Sequence, residues 1–208
     1  MRTAILISGR GSNMQALLDA ASQPAFPAEI VLVGSNRPNA AGLQIAKHHG
    51  VETIAVDHKR FRKDREAFER ALDQELRTAR VELVCLAGFM RILTPWFTGQ
   101  WSDRLINIHP SLLPAFKGLD THQQALDAGV SEHGCTVHFV RPEMDTGPII
   151  DQARVPVIVG DDAESLAARV LEQEHRLYPH VLGELARGLP NGTVRVDGER
   201  VIGVTPLT

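Results

Sequence analysis

Two residues able to do chemistry stand two positions apart in Leu105-Ile106-Asn107-Ile108-His109-Pro110-Ser111-Leu112-Leu113-Pro114. Asn107 offers a neutral hydrogen-bond donor, and His109 can take or release a proton near neutrality. The segment opens as a short buried strand, whose alternation sends Asn107 and His109 to one side and Ile106 and Ile108 to the other. Two polar groups then meet at the end of a strand, where open α/β sheets place their ligands. A histidine that merely closes a strand by bonding to backbone accounts for the same residue, although the paired Asn and the following prolines favour chemistry.

Three more segments carry polar groups in unusual places. Arg141-Pro142-Glu143-Met144-Asp145-Thr146-Gly147-Pro148 is a defined Pro/Gly turn between two strands, of the kind that presents functional groups from a rigid frame. Asp145 is either an Asx residue of that turn or a carboxylate that reaches His109 and favours its imidazolium; the pair then moves protons and stabilises an oxyanion. Ser8-Gly9-Arg10-Gly11-Ser12-Asn13 joins a strand to a helix, where backbone N–H groups and the positive helix end favour a phosphate. It lacks the third Gly of a dinucleotide fingerprint and the Lys of a P-loop, so a plain turn and a phosphate monoester site both remain open. Ser12 is also a candidate cap for that helix. Glu174 falls in register with Leu166 and Val170 on an apolar helical stripe, where a carboxylate needs either a partner or an exposed rim.

The elements that must position these groups fall in two patterns. Up to Leu105, strands at 3–8, 29–35, 53–56, 82–87 and 105–108 alternate with helices at 13–21, 40–49 and 64–80, the last with Phe68, Leu72 and Leu76 facing inward. That pattern predicts a Rossmann-like, doubly wound α/β sheet with a parallel N-terminal half. Beyond it, strands at 134–140 and 149–157 are separated by only eight residues, too few for a parallel crossover, so antiparallel strands enter the C-terminal half and the sheet is mixed. A short helix near 122–128 and a long one from 161 to about 187, opened by Asp161 or Asp162 and interrupted at Pro179, complete the reading. A polar hairpin around Asp197-Gly198 ends it.

Composition narrows the classes. The 208 residues form a single domain able to bury roughly 70% of the unfolded surface. We divide it into a phosphate-binding half, 1–104, and a catalytic half, 105–208. With 43% hydrophobic and 23% charged residues, neither disorder nor a fibrous repeat is indicated. Lys and Arg number 22 against 25 Asp and Glu, interspersed, so no basic face points to nucleic acid. The apolar run Ala4–Ile7 is too short for a signal or a membrane span, which predicts a cytoplasmic protein with no membrane partner. Cys85 and Cys135 form no CxxC pair and read as small buried hydrophobes. Nine His residues show no metal-ligand spacing, so no metal is expected.

Taken together, ILISGRGSNMQALLDA (5–20), LAGFMRILTPWF (86–97), LINIHPSLLPAFKGLDTHQQALDAG (105–129), HGCTVHFV (133–140), MDTGPII (144–150) and QEHRLYP (173–179) make the chain resemble the phosphoribosylglycinamide formyltransferase family over essentially its whole length. The resemblance implies the formyltransferase fold and transfer of a formyl group from 10-formyltetrahydrofolate, the co-substrate, to the amino group of glycinamide ribonucleotide in purine synthesis. It implies that Asn107, His109 and Asp145 are the catalytic trio. It further implies that Gly11, Ser12 and Asn13 hold the ribonucleotide phosphate and that Glu174 contacts the ribose. Arg65, Met90, Arg91, Ile92, Leu93 and Val140 would border the folate, together with Asn107 and Asp145. Arg10 and Asp120 depart from the family's pattern without touching the trio. A formyltetrahydrofolate hydrolase or a methionyl-tRNA formyltransferase shares the trio but carries a further domain, for which this chain is expected to have no room. Oligomeric state stays open between monomer and homodimer.

Overall fold

The computed structural model describes residues 1–207, which divide into two compact units that part between Asn107 and Ile108. The first is built on strands β1 (Arg2–Ile7), β2 (Glu29–Ser35), β3 (Glu52–Ala55), β4 (Leu83–Leu86) and β5 (Leu105–His109). They lie in the order β3-β2-β1-β4-β5, every pair within the unit parallel. Parallel neighbours require crossovers, and helices α1 (Ser12–Ala21), α2 (Ala41–His48), α3 (Arg65–Thr78) and α4 (Pro95–Gln100) supply them. The central strands β1 and β4 read as near-continuous apolar runs because both faces are covered: Ala4 to Ile7 and Leu83 to Cys85 are fully buried.

Helix α3 follows its sequence closely. Asp64 caps it by accepting from the Ala67 N–H, and Phe68, Leu72 and Leu76 are buried along one stripe. Each such leucine contributes about 1.5–3 kcal/mol over an exposed one. A 3₁₀ turn at His58–Phe61 precedes it.

The second unit holds β6 (Glu132–Phe139) and β7 (Ile149–Pro156), paired antiparallel as their short connection requires. The tail forms the expected hairpin, β8 (Arg195–Asp197) and β9 (Arg200–Ile202), and β9 adds to β7 at Ile149 and Arg200. Helix α5 (Thr121–Asp127) and the long α6 (Ala163–Gly188) complete the unit. Asp162, rather than Asp161, caps α6, in a reciprocal box with Ser165.

One expectation needs correction, and one element was not foreseen. Pro179 does not interrupt α6, which runs unbroken through it. A proline costs the helix a hydrogen bond, yet Leu177, Tyr178, Val181 and Leu182 beside it are all fully buried, so packing on both adjacent turns holds the helix together. Helix α4 was not expected at all. Thr94 caps it and Pro95 starts it, but six residues are too few to show a helical period.

Candidate active site

The glycine loop leaves β1 at Ser8 and enters α1 at Ser12. Gly11 is the N-cap, with φ of 77°, a left-handed backbone that glycine adopts without steric cost. Ser12 therefore does not cap the helix as its type suggested; it is the first helical residue, and no side chain caps this end. An end left in that state, with its dipole, suits an anion. Ser8, Gly11, Asn13, Arg37, Gly88 and Met90 help line a hollow of about 270 Å³ over the loop.

The segment expected to border folate is tied to the same loop. The Ser8 hydroxyl donates to Asn36 Oδ1 at 2.6 Å and accepts from the Met90 N–H at 2.8 Å. Met90 and Ile92 present their side chains to solvent, 62% and 64% exposed, while Leu93 is buried. Thr94, next in line, is held by buried Glu69 through both its N–H and its hydroxyl. Burial raises the Glu69 pKa, opposed by those two bonds and by the charge of Arg65, one turn earlier on α3. Glu69 thus anchors the end of the 90–94 segment at Thr94. Asn107, half-buried on β5, is in register with Leu86 of β4.

In the second unit His109 closes β5 and is only 5% exposed. Its Nδ1 lies 3.6 Å from Asp145 Oδ2, and its Nε2 lies 2.9 Å from the Phe116 carbonyl oxygen. The same carboxylate oxygen accepts from the Gly118 N–H at 3.0 Å, and its other oxygen is 3.9 Å from His138 Nε2. Asp145 is held at φ of 54°, a left-handed conformation that Asp tolerates better than most residues. It sits in the 140–148 connection, which starts at Val140 and is pinched shut where the Phe139 N–H donates to the Pro148 carbonyl. Gly147 lies so close to the Phe139 carbonyl that a Cβ there would come within 1.7 Å of its oxygen.

Three further imidazoles surround this pair. Burial lowers the pKa of His138, with His109 adding to the effect and Asp145 and the Phe139 carbonyl opposing it. His122 Nδ1 and His133 Nε2 share a hydrogen bond of 3.2 Å. Burial and then the neighbouring His122 bring His133 down to about 4, and burial and then His109 lower His122. Glu174 is 6% exposed, buried on α6 with Leu166 and Val170, so the exposed-rim alternative does not hold. Its charge, after burial, helps push the Cys135 thiol up to about 12.

The sequence of residues 1–182 matches the model of the formyl transferase family. The chain belongs to the formyl transferase family. The phosphoribosylglycinamide formyltransferase of Escherichia coli (strain K12) is 44% identical over 204 residues, covering 97% of this chain and 96% of that protein. A trifunctional purine biosynthetic protein of Drosophila melanogaster is 49% identical over 200 residues, but this formyl transferase chain spans only 14% of its length. Among solved structures, the glycinamide ribonucleotide transformylase 1 of Symbiobacterium toebii superposes with a TM-score of 0.91 at 44% identity, covering 97% of this chain and 93% of that one. The phosphoribosylglycinamide formyltransferase of Brucella melitensis gives 0.85 at 52% identity, with 90% and 96% covered.

For a formyl transferase the second unit offers a largely enclosed carboxylate between two buried imidazoles, a set able to hold a proton beside a reacting carbonyl. His138 was missed in the sequence. Its signal was available, since β6 leads directly into the Asp145 loop, but an apolar-flanked His reads first as core. Phe116 and Gly118 were missed because they act through backbone atoms. Among the described residues, no group of three or more His, Cys, Asp or Glu is arranged to hold a metal ion, and no helix is long and apolar enough to cross a membrane.

Proposed function

We propose that this formyl transferase moves the formyl group of 10-formyltetrahydrofolate to the amino group of glycinamide ribonucleotide, giving formylglycinamide ribonucleotide in de novo purine synthesis. The observation that carries the reading is the apposition of His109 and Asp145 at 3.6 Å, both nearly sealed from water. The likeness to the E. coli formyltransferase from end to end supports the choice of substrates.

The chemistry follows from the bonds exchanged. The neutral amine adds to the formyl carbon, an oxyanion forms, the bond to the folate nitrogen breaks, and one proton passes from the amine to that nitrogen. Asn107 donates a hydrogen bond to the oxyanion, and the positive charge of protonated His109 adds to its stabilisation. Asp145 holds the imidazolium and relays the amine's proton. Gly11, Ser12 and Asn13 take the ribonucleotide phosphate at the uncapped end of α1, and Glu174 takes the ribose hydroxyls. Arg65, Met90, Arg91, Ile92, Leu93 and Val140 border the folate, the exposed Met90 and Ile92 giving it an apolar bed. We divide the single domain accordingly, 1–104 for the ribonucleotide phosphate and 105–208 for catalysis and folate, in a cytoplasmic protein that is a monomer or homodimer and needs no metal.

The test is the absorbance change on folate deformylation, recorded with and without glycinamide ribonucleotide. Turnover that requires the ribonucleotide is expected; equal turnover in its absence assigns a hydrolase instead. His109→Ala should abolish turnover while the ribonucleotide still binds, and near-normal turnover by that variant removes His109 from the mechanism.

A further inference from the structure

The turn after β5 touches both His109 and Asp145 with backbone atoms. The Phe116 carbonyl faces His109 Nε2 at 2.9 Å, and two residues on, the Gly118 N–H donates to Asp145 at 3.0 Å. A carbonyl oxygen can only accept, so Nε2 carries a hydrogen in either charge state of the ring. The second nitrogen, Nδ1, is then the one that gains or loses a proton, and it is the one that faces Asp145. With Nδ1 bare, a lone pair faces a carboxylate; with Nδ1 protonated, the contact becomes attractive.

This arrangement depends on an unfavourable backbone. Phe116 has φ of 53°, a region that a bulky side chain enters only when its surroundings insist. The surroundings are on hand: the Phe116 ring meets the His133 ring edge-on, with centroids 5.9 Å apart. His133 is itself fully buried, and its orientation is fixed by the bond to His122. We propose that Phe116 is a positioning residue, its ring braced on His133 so that its strained backbone fixes the His109 tautomer and reserves Nδ1 for the proton of the transfer. The proposal rests on the proton-handling role given to His109 above.

Nitrogen-15 spectra of histidine-labelled protein, recorded at alkaline pH, read the tautomer directly. In the wild-type chain neutral His109 should appear as the Nε2–H form. Phe116→Ala should mix the two forms and lower kcat by about tenfold to a hundredfold, the scale of a small misplacement of a catalytic group, with the KM for the ribonucleotide within about twofold. Phe116→Tyr keeps the ring and should keep both the spectrum and most of kcat. A wild-type His109 in the Nδ1–H form overturns the proposal whatever the variants do. So does Phe116→Ala that keeps kcat, or that loses kcat with the His109 spectrum unchanged. Failure of His109→Ala to lose turnover instead strikes the catalytic reading, leaving the tautomer assignment standing.

Discussion

A carboxylate in an apolar stripe is kept only if something recoups the loss of its water. Glu174, between the turns that carry Val170 and Leu177, is such a group. If it binds ribose hydroxyls, Glu174→Gln keeps the shape and gives up charge-assisted hydrogen bonds worth about 1.5–3 kcal/mol. The expected result is a KM for the ribonucleotide raised by about tenfold or more with kcat nearly unchanged, the pattern of lost uniform binding. An unchanged KM in steady-state kinetics takes Glu174 out of the substrate contact. At this scale the sequence told most where one polar side chain meets another, as for His109 and Asp145, which the fold brings to 3.6 Å. It told least where the acting atom is a carbonyl or an amide, as at Phe116 and Gly118, because every residue owns one.

Secondary structure in the first unit was legible because its buried strands are short continuous apolar runs and its amphipathic helices show a helical period. The failures have physical causes. Helix α4 is shorter than two turns, and α6 crosses Pro179 because packing outweighs a local penalty. Contacts such as His122 to His133 join residues eleven positions apart on a helix and a strand, a juxtaposition no local pattern contains. The 140–148 connection shows how an element constrains a site. Asp145 is two residues from Gly147, and Gly147 has no room for a methyl group against the Phe139 backbone. Gly147→Ala should force the two strands apart there, lowering the melting temperature and reducing kcat by about a hundredfold through displacement of Asp145. Full activity in a purified, folded Gly147→Ala protein contradicts the close approach.

For the molecule as a whole, the buried histidines couple stability to acid. His133 falls from its ordinary value of 6.5 to about 4 on folding, so between those limits the unfolded chain binds more protons than the folded one. Its contribution is complete above pH 6.5 and declines as the pH falls toward 4, a loss of about 3 kcal/mol from this residue. His122, His138 and His175 are lowered by burial as well and act in the same direction. Urea unfolding at pH 7 and pH 4.5 should show the wild-type chain losing more stability than His133→Asn, even if the variant starts lower. Equal losses assign the acid sensitivity elsewhere.

The two cysteines lie at zero exposure on β4 and β6, one in each unit, and the thiol on β6 is pushed far from its thiolate. An alkylating reagent has no nucleophile to meet until a unit opens and rehydrates it. The chain thus carries two natural stopwatches, one for each half, and the order in which they are tripped tells which half gives way first.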